Sequence, residues 1–435
     1  MKISSRKGLI LLTGLLIVYG FRNNFVSVAQ WLQPPAVYWK DCTQPWLMGK
    51  ALRNGVSPYG PLPELGRAFL PETRFSNHPT PYPPLVALLG VPMSMLPFES
   101  AAWVWFAGEL VCVMGALLLL LEGVAARIDG AGLAVLFGVL LVSGPVSNEL
   151  RQGQFMAPLL LLLAAAWRSL RAGRDIQGGA WLGLLVSTKI LAWPIVVMLA
   201  LQQRGRAVAA ATLTILGAHA LVLPIIGFSG LVDYYTRVGP LNALIWRPSE
   251  GNYSAWGWAN RLFRGFGFGF GVSPLWPSLE LGDALTPVLP GLMLALGLWL
   301  AKRAARFDTA FSMMIGVSLL VSPIFWNFYL LLAAIPIAVL CARLFTLGWP
   351  WGKTGIAVAL LCVLFTYADK FERIARASGR DLGGGGILVP FGWGLVLLAP
   401  VGALIGLLFL VWSTDTVEES QHAPDGAGTL DTHHV

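Results

Sequence analysis

Charge is scarce in this chain. Only 12% of its 435 residues are Asp, Glu, Lys or Arg, against 56% hydrophobic ones, which argues against a soluble fold with a charged surface. Cysteine is scarcer still: of four, Cys112, Cys341 and Cys362 lie in apolar runs and only Cys42 in a polar segment. That leaves neither a disulfide framework nor a CxxC metal site. Several signatures are missing outright. The lack of an Asp-x-Asp pair argues against a cytosolic nucleotide-sugar enzyme, the lack of Gly-x-Ser-x-Gly against a serine hydrolase, and the lack of His-Glu-x-x-His against a zinc protease. Gly348-x-x-x-Gly352-Lys353-Thr354 is one residue short of a P-loop and follows no strand, so it reads as chance. No internal repeat marks the chain as one of the symmetric transporters.

What is present is membrane. A mean hydropathy of +0.68, 18 Trp and repeated apolar runs of spanning length give an all-α polytopic membrane protein, a bundle of about ten to twelve transmembrane helices joined by extracytoplasmic and cytoplasmic loops. The excess of +8 comes mainly from Lys and Arg in the joints between runs, so nucleic acid is excluded as a partner and membrane lipid is expected. Residues 1–412 read as one membrane-embedded domain and 413–435 as a polar, disordered cytoplasmic tail. Lys2, Arg6 and Lys7 ahead of the run from Gly8 to Gly20 place the N-terminus inside, and that run reads as an uncleaved first span.

With the N-terminus inside, residues 27–84 form a long polar loop outside, read as the active-site loop, followed by a short Pro-rich segment from Leu85 to Leu96 that reads as interfacial. Ala101 to Leu121 goes in, Gly132 to Val146 goes out, and Phe155 to Trp167 returns to Arg168, Arg171 and Arg174. Gly178 to Leu201 has basic flanks at both ends, which a hairpin with Ser187-Thr188-Lys189 at its tip satisfies. Val208 to Phe228 goes out to a second long loop, 229–283, whose Gly-Phe alternation from Gly265 to Gly271 reads as a flexible stretch dipping into the interface. Leu285 to Leu300, Phe311 to Val321, Phe328 to Leu340, Ile356 to Tyr367 and Ile387 to Trp412 complete ten crossings and leave the C-terminus inside.

Under this topology polar residues converge on one face: Asp41, Tyr59, His78 and Tyr82, then Asn148, Arg151 and Gln154, then Asn252 and Arg261, then Trp326 and Asn327. A carboxylate among amides, aromatics and cations suits transfer onto a sugar or alcohol hydroxyl. The carboxylate takes the proton, amides hold hydroxyls, aromatics stack on sugar faces, and cations receive a phosphate leaving group.

The ordered motifs are Asp41 followed by Gly55-Val56-Ser57-Pro58-Tyr59, Tyr82-Pro83-Pro84-Leu85 leading to Leu96-Pro97, Gly153-Gln154 opening a Leu-rich helix, Lys189 ahead of a proline, and Ser322-Pro323-Ile324-Phe325-Trp326. In this order they resemble glycosyltransferase family 87, the polyprenol-phosphate-mannose-dependent α-mannosyltransferases of GT-C fold. The sequence departs from that pattern where Cys42-Thr43-Gln44-Pro45 follows the acid and where Phe155-Met156-Ala157 follows Gln154. The resemblance implies an inverting transfer, outside a bacterial plasma membrane, of a hexose, most plausibly mannose, from a polyprenyl-phosphate donor to a glycolipid or glycan acceptor. No cofactor or metal is expected. Asp41 is then the general base, with Lys189, Arg151 and Arg261 for the donor phosphate, and Tyr59, His78, Tyr82, Asn148, Gln154, Asn252 and Trp326 for sugar and acceptor.

Plainer readings stand beside these. Asp41 alone is a solvated loop carboxylate. Lys189 within an apolar run costs roughly 2.5 to 3.5 kcal/mol at a helix centre, which favours a function, or it snorkels to an interface. Glu109 either lines a donor groove or sits at the headgroup level, His219 reads as a packed core histidine, and most Trp residues as an aromatic belt. The rival function is a lipid-linked saccharide flippase or other transporter.

Overall fold

The computed structural model describes residues 18, 30–125, 139–249, 251–265, 270–378, 380–383, 386–389 and 398–421. The expected first span, 8–20, and most of the run from Gly132 lie outside the described residues. The segment from Asp41 to Leu85 is not a loop. A 3-10 turn, Ala36–Trp39, leads into helices α1 (Thr43–Arg53), α2 (Leu62–Phe69) and α3 (Pro84–Met93). Its prolines and polar residues suggest irregular chain, yet Pro63 and Pro84 fall in the first turns of α2 and α3, where the missing N–H is harmless. α1 and α3 cross at two glycines. A Cβ on Gly90 would lie 2.0 Å from the Pro45 carbonyl oxygen and one on Gly49 2.2 Å from the Gly90 carbonyl, so neither position accepts a side chain. At about 1.5 Å per residue α3 is far shorter than the roughly 30 Å of a hydrocarbon core, in keeping with an interfacial segment.

α4 (Phe98–Gly123), α5 (Gly144–Gln152) and α6 (Met156–Arg171) follow, then α7 (Asp175–Thr188) and α8 (Trp193–Leu201). α4 and α6 run parallel. Trp105 near the start of α4 donates to the Gln154 carbonyl just before α6, and Glu122 near the end of α4 pairs with Arg168 near the end of α6. α7 and α8 form the expected hairpin: Arg204, just after α8, donates to the Leu170 carbonyl at 2.6 Å and pairs with Asp175 at the start of α7. Lys189 therefore sits at the far tip.

α9 (Gly205–Asp233) packs parallel to α7, with Gly179 against Ala207 and Gly183 against Ala211 and Thr214, a small-residue contact that lets the backbones touch. A π-helical turn, Tyr234–Val238, and α10 (Gly239–Trp246) continue it. Residues up to 246 of the expected 229–283 loop are thus helical. The 42 residues from Gly205 to Trp246 would far exceed a bilayer if straight, and Gly227, at φ 73°, breaks the axis inside them.

α11 (Ala255–Ala259) and a second π turn, Asn260–Arg264, precede α12 (Leu279–Arg303) and α13 (Phe307–Val321). A 3-10 segment, Asn327–Ala333, leads into α14 (Ala334–Thr346), followed by α15 (Trp351–Ser378) and α16 (Ala399–Gln421). Among the described residues four stretches are long and apolar enough to cross a membrane: Phe98–Gly123, Gly205–Trp246, Leu279–Arg303 and Asn327–Thr346.

The chain is helical apart from a three-stranded sheet that the sequence reading did not foresee, with β1 (Phe270–Val272) parallel to β3 (Gly386–Val389) and β2 (Arg380–Gly383) antiparallel to β3. The end of the Gly-Phe stretch is therefore a strand, while residues 266–269 lie outside the described ones. The expected crossing from Ile387 to Trp412 is two elements, since its short β-branched start pairs as a strand and the helix begins only at Ala399. That helix also overruns the expected tail boundary. Asp415, 1% exposed, pairs with Arg343 at 3.1 Å and accepts from the Arg306 amide, which carries α16 past Ser413 to Gln421; residues 422–435 lie outside the described ones. Trp167 and Arg171 of α6 meet Asp308 of α13 at this same end of the bundle. Asp41, Gln154 and Lys189 share the other end.

Candidate active site around Asp41

The site is built on the junction between α5 and α6. Ser143 caps α5 by accepting from the Val146 amide, and Gly153 ends it in the left-handed conformation, φ 63°. A Cβ at Gly153 would lie 2.9 Å from the Cys42 side chain. Glycine is needed twice over, for the backbone conformation and for the approach of the Asp41 segment, whose amide donates to the Gln152 carbonyl at 2.8 Å.

Both carboxylate oxygens of Asp41 are bonded by glutamine amides. Gln44 Nε2 donates to Oδ1 at 3.0 Å, and Gln154 Nε2 donates to Oδ2. Gln154 is in turn oriented by Tyr82, whose hydroxyl donates to Gln154 Oε1 at 3.4 Å. Gln44 stands three residues after Asp41, on the first turn of α1, within the stretch where the sequence departs from the family pattern. Desolvation pushes the Asp41 carboxyl above the ordinary aspartate range; the two amides and the charges of Lys189 and Lys40 draw it part of the way back.

Lys189 reaches this cluster from the hairpin tip. Its ammonium lies 4.1 Å from the centre of the Tyr329 ring, and its positive charge acts on both Asp41 and Glu149. Glu149 is fully buried: Oε1 accepts from the Ala157 amide at 2.8 Å and caps α6, and Oε2 has no hydrogen-bond partner among the described residues. Sequence reasoning passed over Gln44, Glu149 and Tyr329. Of these only Glu149 carried a signal, as a carboxylate in the same polar junction as Gln154.

The other expected residues divide into groups. His78 is buried and donates from Nδ1 to the Pro79 carbonyl at 2.9 Å; its ring stands edge-on to Trp246, which is edge-on to Trp326. This brings His78 and Trp326 together through an indole the sequence reading did not single out. Tyr59 packs on Tyr234 with ring centres 5.3 Å apart, and its hydroxyl reaches the Tyr82 carbonyl at 3.5 Å. Asn148 is half-buried on α5.

Asn252 and Arg261, expected to bind substrate, make contacts within the protein. The Asn252 amide donates to the carbonyls of Trp246, Arg247 and Pro323 and accepts from the amides of Ser254 and Phe325, which saturates it and pins the 322–326 turn. Arg261, 5% exposed, donates to the Asn252 carbonyl at 2.8 Å. Arg151 lines a cleft with Lys40, Glu109 and Trp105, and its charge acts on Lys40. Glu109 is 2% exposed, so its carboxyl is packed within the protein. His219 donates from Nδ1 to the Ile215 carbonyl at 2.7 Å and bonds Tyr235 at 2.6 Å through Nε2. Among the described residues no cluster of three or more His, Cys, Asp or Glu could hold a metal ion.

A buried acid bonded by amides, next to a cation and tyrosines, is an arrangement for hydroxyl chemistry near a phosphate. No curated protein and no solved structure matches the chain. The sequence profile described as glycosyltransferase family 87 matches residues 80–323, more than half of the chain, and includes Tyr82, Gln154 and Lys189, while Asp41 lies before it and Trp326 after it. The chain belongs to glycosyltransferase family 87 and is a membrane glycosyltransferase.

Proposed function

We propose that the protein transfers a hexose, most plausibly mannose, from a polyprenyl-phosphate sugar to a glycolipid or glycan hydroxyl on the extracytoplasmic face, with inversion. The observation that carries this reading is the Asp41 carboxylate, held through both oxygens beside a lysine that no carboxylate pairs within ion-pair distance among the described residues. The acceptor O–H loses its proton to Asp41 as its oxygen bonds the anomeric carbon. The bond from that carbon to the donor phosphate oxygen breaks, and the released polyprenyl phosphate takes the electron pair with its charge toward Lys189. A lysine in this place serves as a point charge, which suits a phosphate whose charge grows along the reaction. Tyr59, the His78, Trp246 and Trp326 row, and Asn148 supply ring faces and an amide for sugar hydroxyls.

The test is transfer of radiolabelled mannose from polyprenyl-phosphate-mannose by the purified protein across a panel of lipid acceptors. Labelled product that appears with native protein and not with Asp41→Asn supports the reading. Donor binding without transfer to any acceptor points instead to a lipid-linked saccharide transporter.

A further inference from the structure

The reaction above asks Lys189 to hold positive charge at one point. A lysine ammonium is a compact charge on a flexible stem, so an unsupported one spreads over many positions and loses that freedom when it binds. A carboxylate against it would fix it but would also cancel its charge. Among the described residues no carboxylate comes within ion-pair distance of Lys189, and the charges of Glu149 and Asp41 act on it from further off.

The ammonium rests on a ring instead, 4.1 Å from the centre of Tyr329. The hairpin tip delivers it there. α7 ends at Thr188, and Lys189 leaves the helix in an extended conformation, φ −155° and ψ 121°, with its amide still bonded to the Leu185 carbonyl at 2.9 Å. Tyr329 is 3% exposed, and its amide donates to the Trp326 carbonyl at 3.0 Å near the start of the 3-10 segment Asn327–Ala333. Its ring centre lies 5.2 Å from that of Phe328 and 6.2 Å from that of Phe325, and Phe325 is fully buried and edge-on to Tyr253. The ring under the lysine is thus packed among other aromatics on an element separate from the hairpin.

We propose that Tyr329 is the positioning residue for Lys189, its ring face seating the ammonium where the donor phosphate arrives. This deepens the glycosyltransferase reading and rests on it for the donor. An aromatic face attracts a cation through its quadrupole and carries no net charge, so an arriving phosphate meets the full charge of the lysine. Tyr329 lies beyond residues 80–323, the part of the chain that the family profile matches.

The test is binding of undecaprenyl phosphate, a probe with the phosphate and without the sugar, to the purified full chain in detergent, read by native mass spectrometry beside thermal unfolding. Lys189→Met should lower affinity about tenfold or more, the effect of one charge-assisted contact. Tyr329→Phe keeps the ring and should bind the probe as the native chain does. A phenylalanine bearing three ring fluorines at the same position packs almost alike, but the fluorines strip negative charge from the ring face. Affinity should then fall about tenfold, about 1.4 kcal/mol, with a doubly fluorinated ring in between and Tm little changed. Equal affinity across the fluorinated series, or the whole loss already in Tyr329→Phe, would overturn the proposal. Native affinity in Lys189→Met would take the phosphate away from Lys189 and unseat the donor reading and this inference together. A graded series from a protein that transfers no sugar would unseat the glycosyltransferase reading alone and leave Tyr329 as the seat of a phosphate-binding lysine.

Discussion

Asp41→Asn is the most informative single change, because the structure says how the protein will accommodate it. The carboxylate accepts one amide N–H at each oxygen, from Gln44 and Gln154. Asparagine keeps one acceptor and replaces the other by NH2, so one glutamine must turn its amide over, or a buried donor is left unmatched at about 1–3 kcal/mol. Gln154 is fixed by Tyr82 at its oxygen. Gln44 is free to turn, since its Oε1 is buried without a partner, and the turn would give that oxygen the new NH2. The variant should therefore fold, with a Tm equal to or slightly above the native value, because a desolvated carboxylate has been removed. It should bind donor normally. Transfer should fall by roughly 10²–10⁴-fold, the range for loss of a general base, or about 2.7–5.4 kcal/mol in barrier. The assay is radiolabel transfer beside thermal unfolding of the same preparation, with Glu64→Gln and Glu72→Gln as controls, since both of those side chains are exposed. Near-native transfer by Asp41→Asn, with Glu64→Gln or Glu72→Gln inactive, would move the base within the segment; full transfer in all three would place the base outside this segment.

The pH dependence follows from the same carboxyl. Only its ionised form accepts a proton, and desolvation raises its pKa, so kcat/KM should fall as pH drops through a value above the usual aspartate figure of about 3.9. Gln154→Leu removes a contact that favours the ionised form and should move that acid limb to higher pH; an unmoved limb would detach Gln154 from the base. Gly90→Ala places a methyl 2.0 Å from the Pro45 carbonyl oxygen and should lower stability by about 1–3 kcal/mol or more, seen as a lower Tm. Asn252→Ala leaves the Phe325 and Ser254 amides without an acceptor and should reduce Tm and folded yield, while substrate KM in the surviving protein stays near native; a selective rise in KM would return Asn252 to substrate binding.

Much of the site was legible in the chain because chemistry in a membrane protein stands out against lipid. Asp41, Gln154, Tyr82 and Lys189 are polar groups in or beside apolar runs, where an unneeded polar residue is unfavourable, and the structure brings these four together. Basic flanks at both ends of one apolar stretch were enough to draw the α7 and α8 hairpin, since charge position is itself a constraint on which end of a helix meets water. Three things only the tertiary structure decided. Asn252 and Arg261 look like ligand-binding residues in sequence, and the difference between an amide that meets a sugar and one that pins a turn lies wholly in which carbonyls surround it. The strand at Gly386–Val389 was hidden because a short β-branched run reads the same as the start of a helix until its partners, over a hundred residues away in one case, are known. That Arg151 shares a cleft with Lys40 is likewise a matter of packing, since sequence spacing carries no information about which side chains meet across a turn. Composition and charge position specify what must be buried and which ends meet water, whereas the identity of each polar group's partner is set by long-range packing.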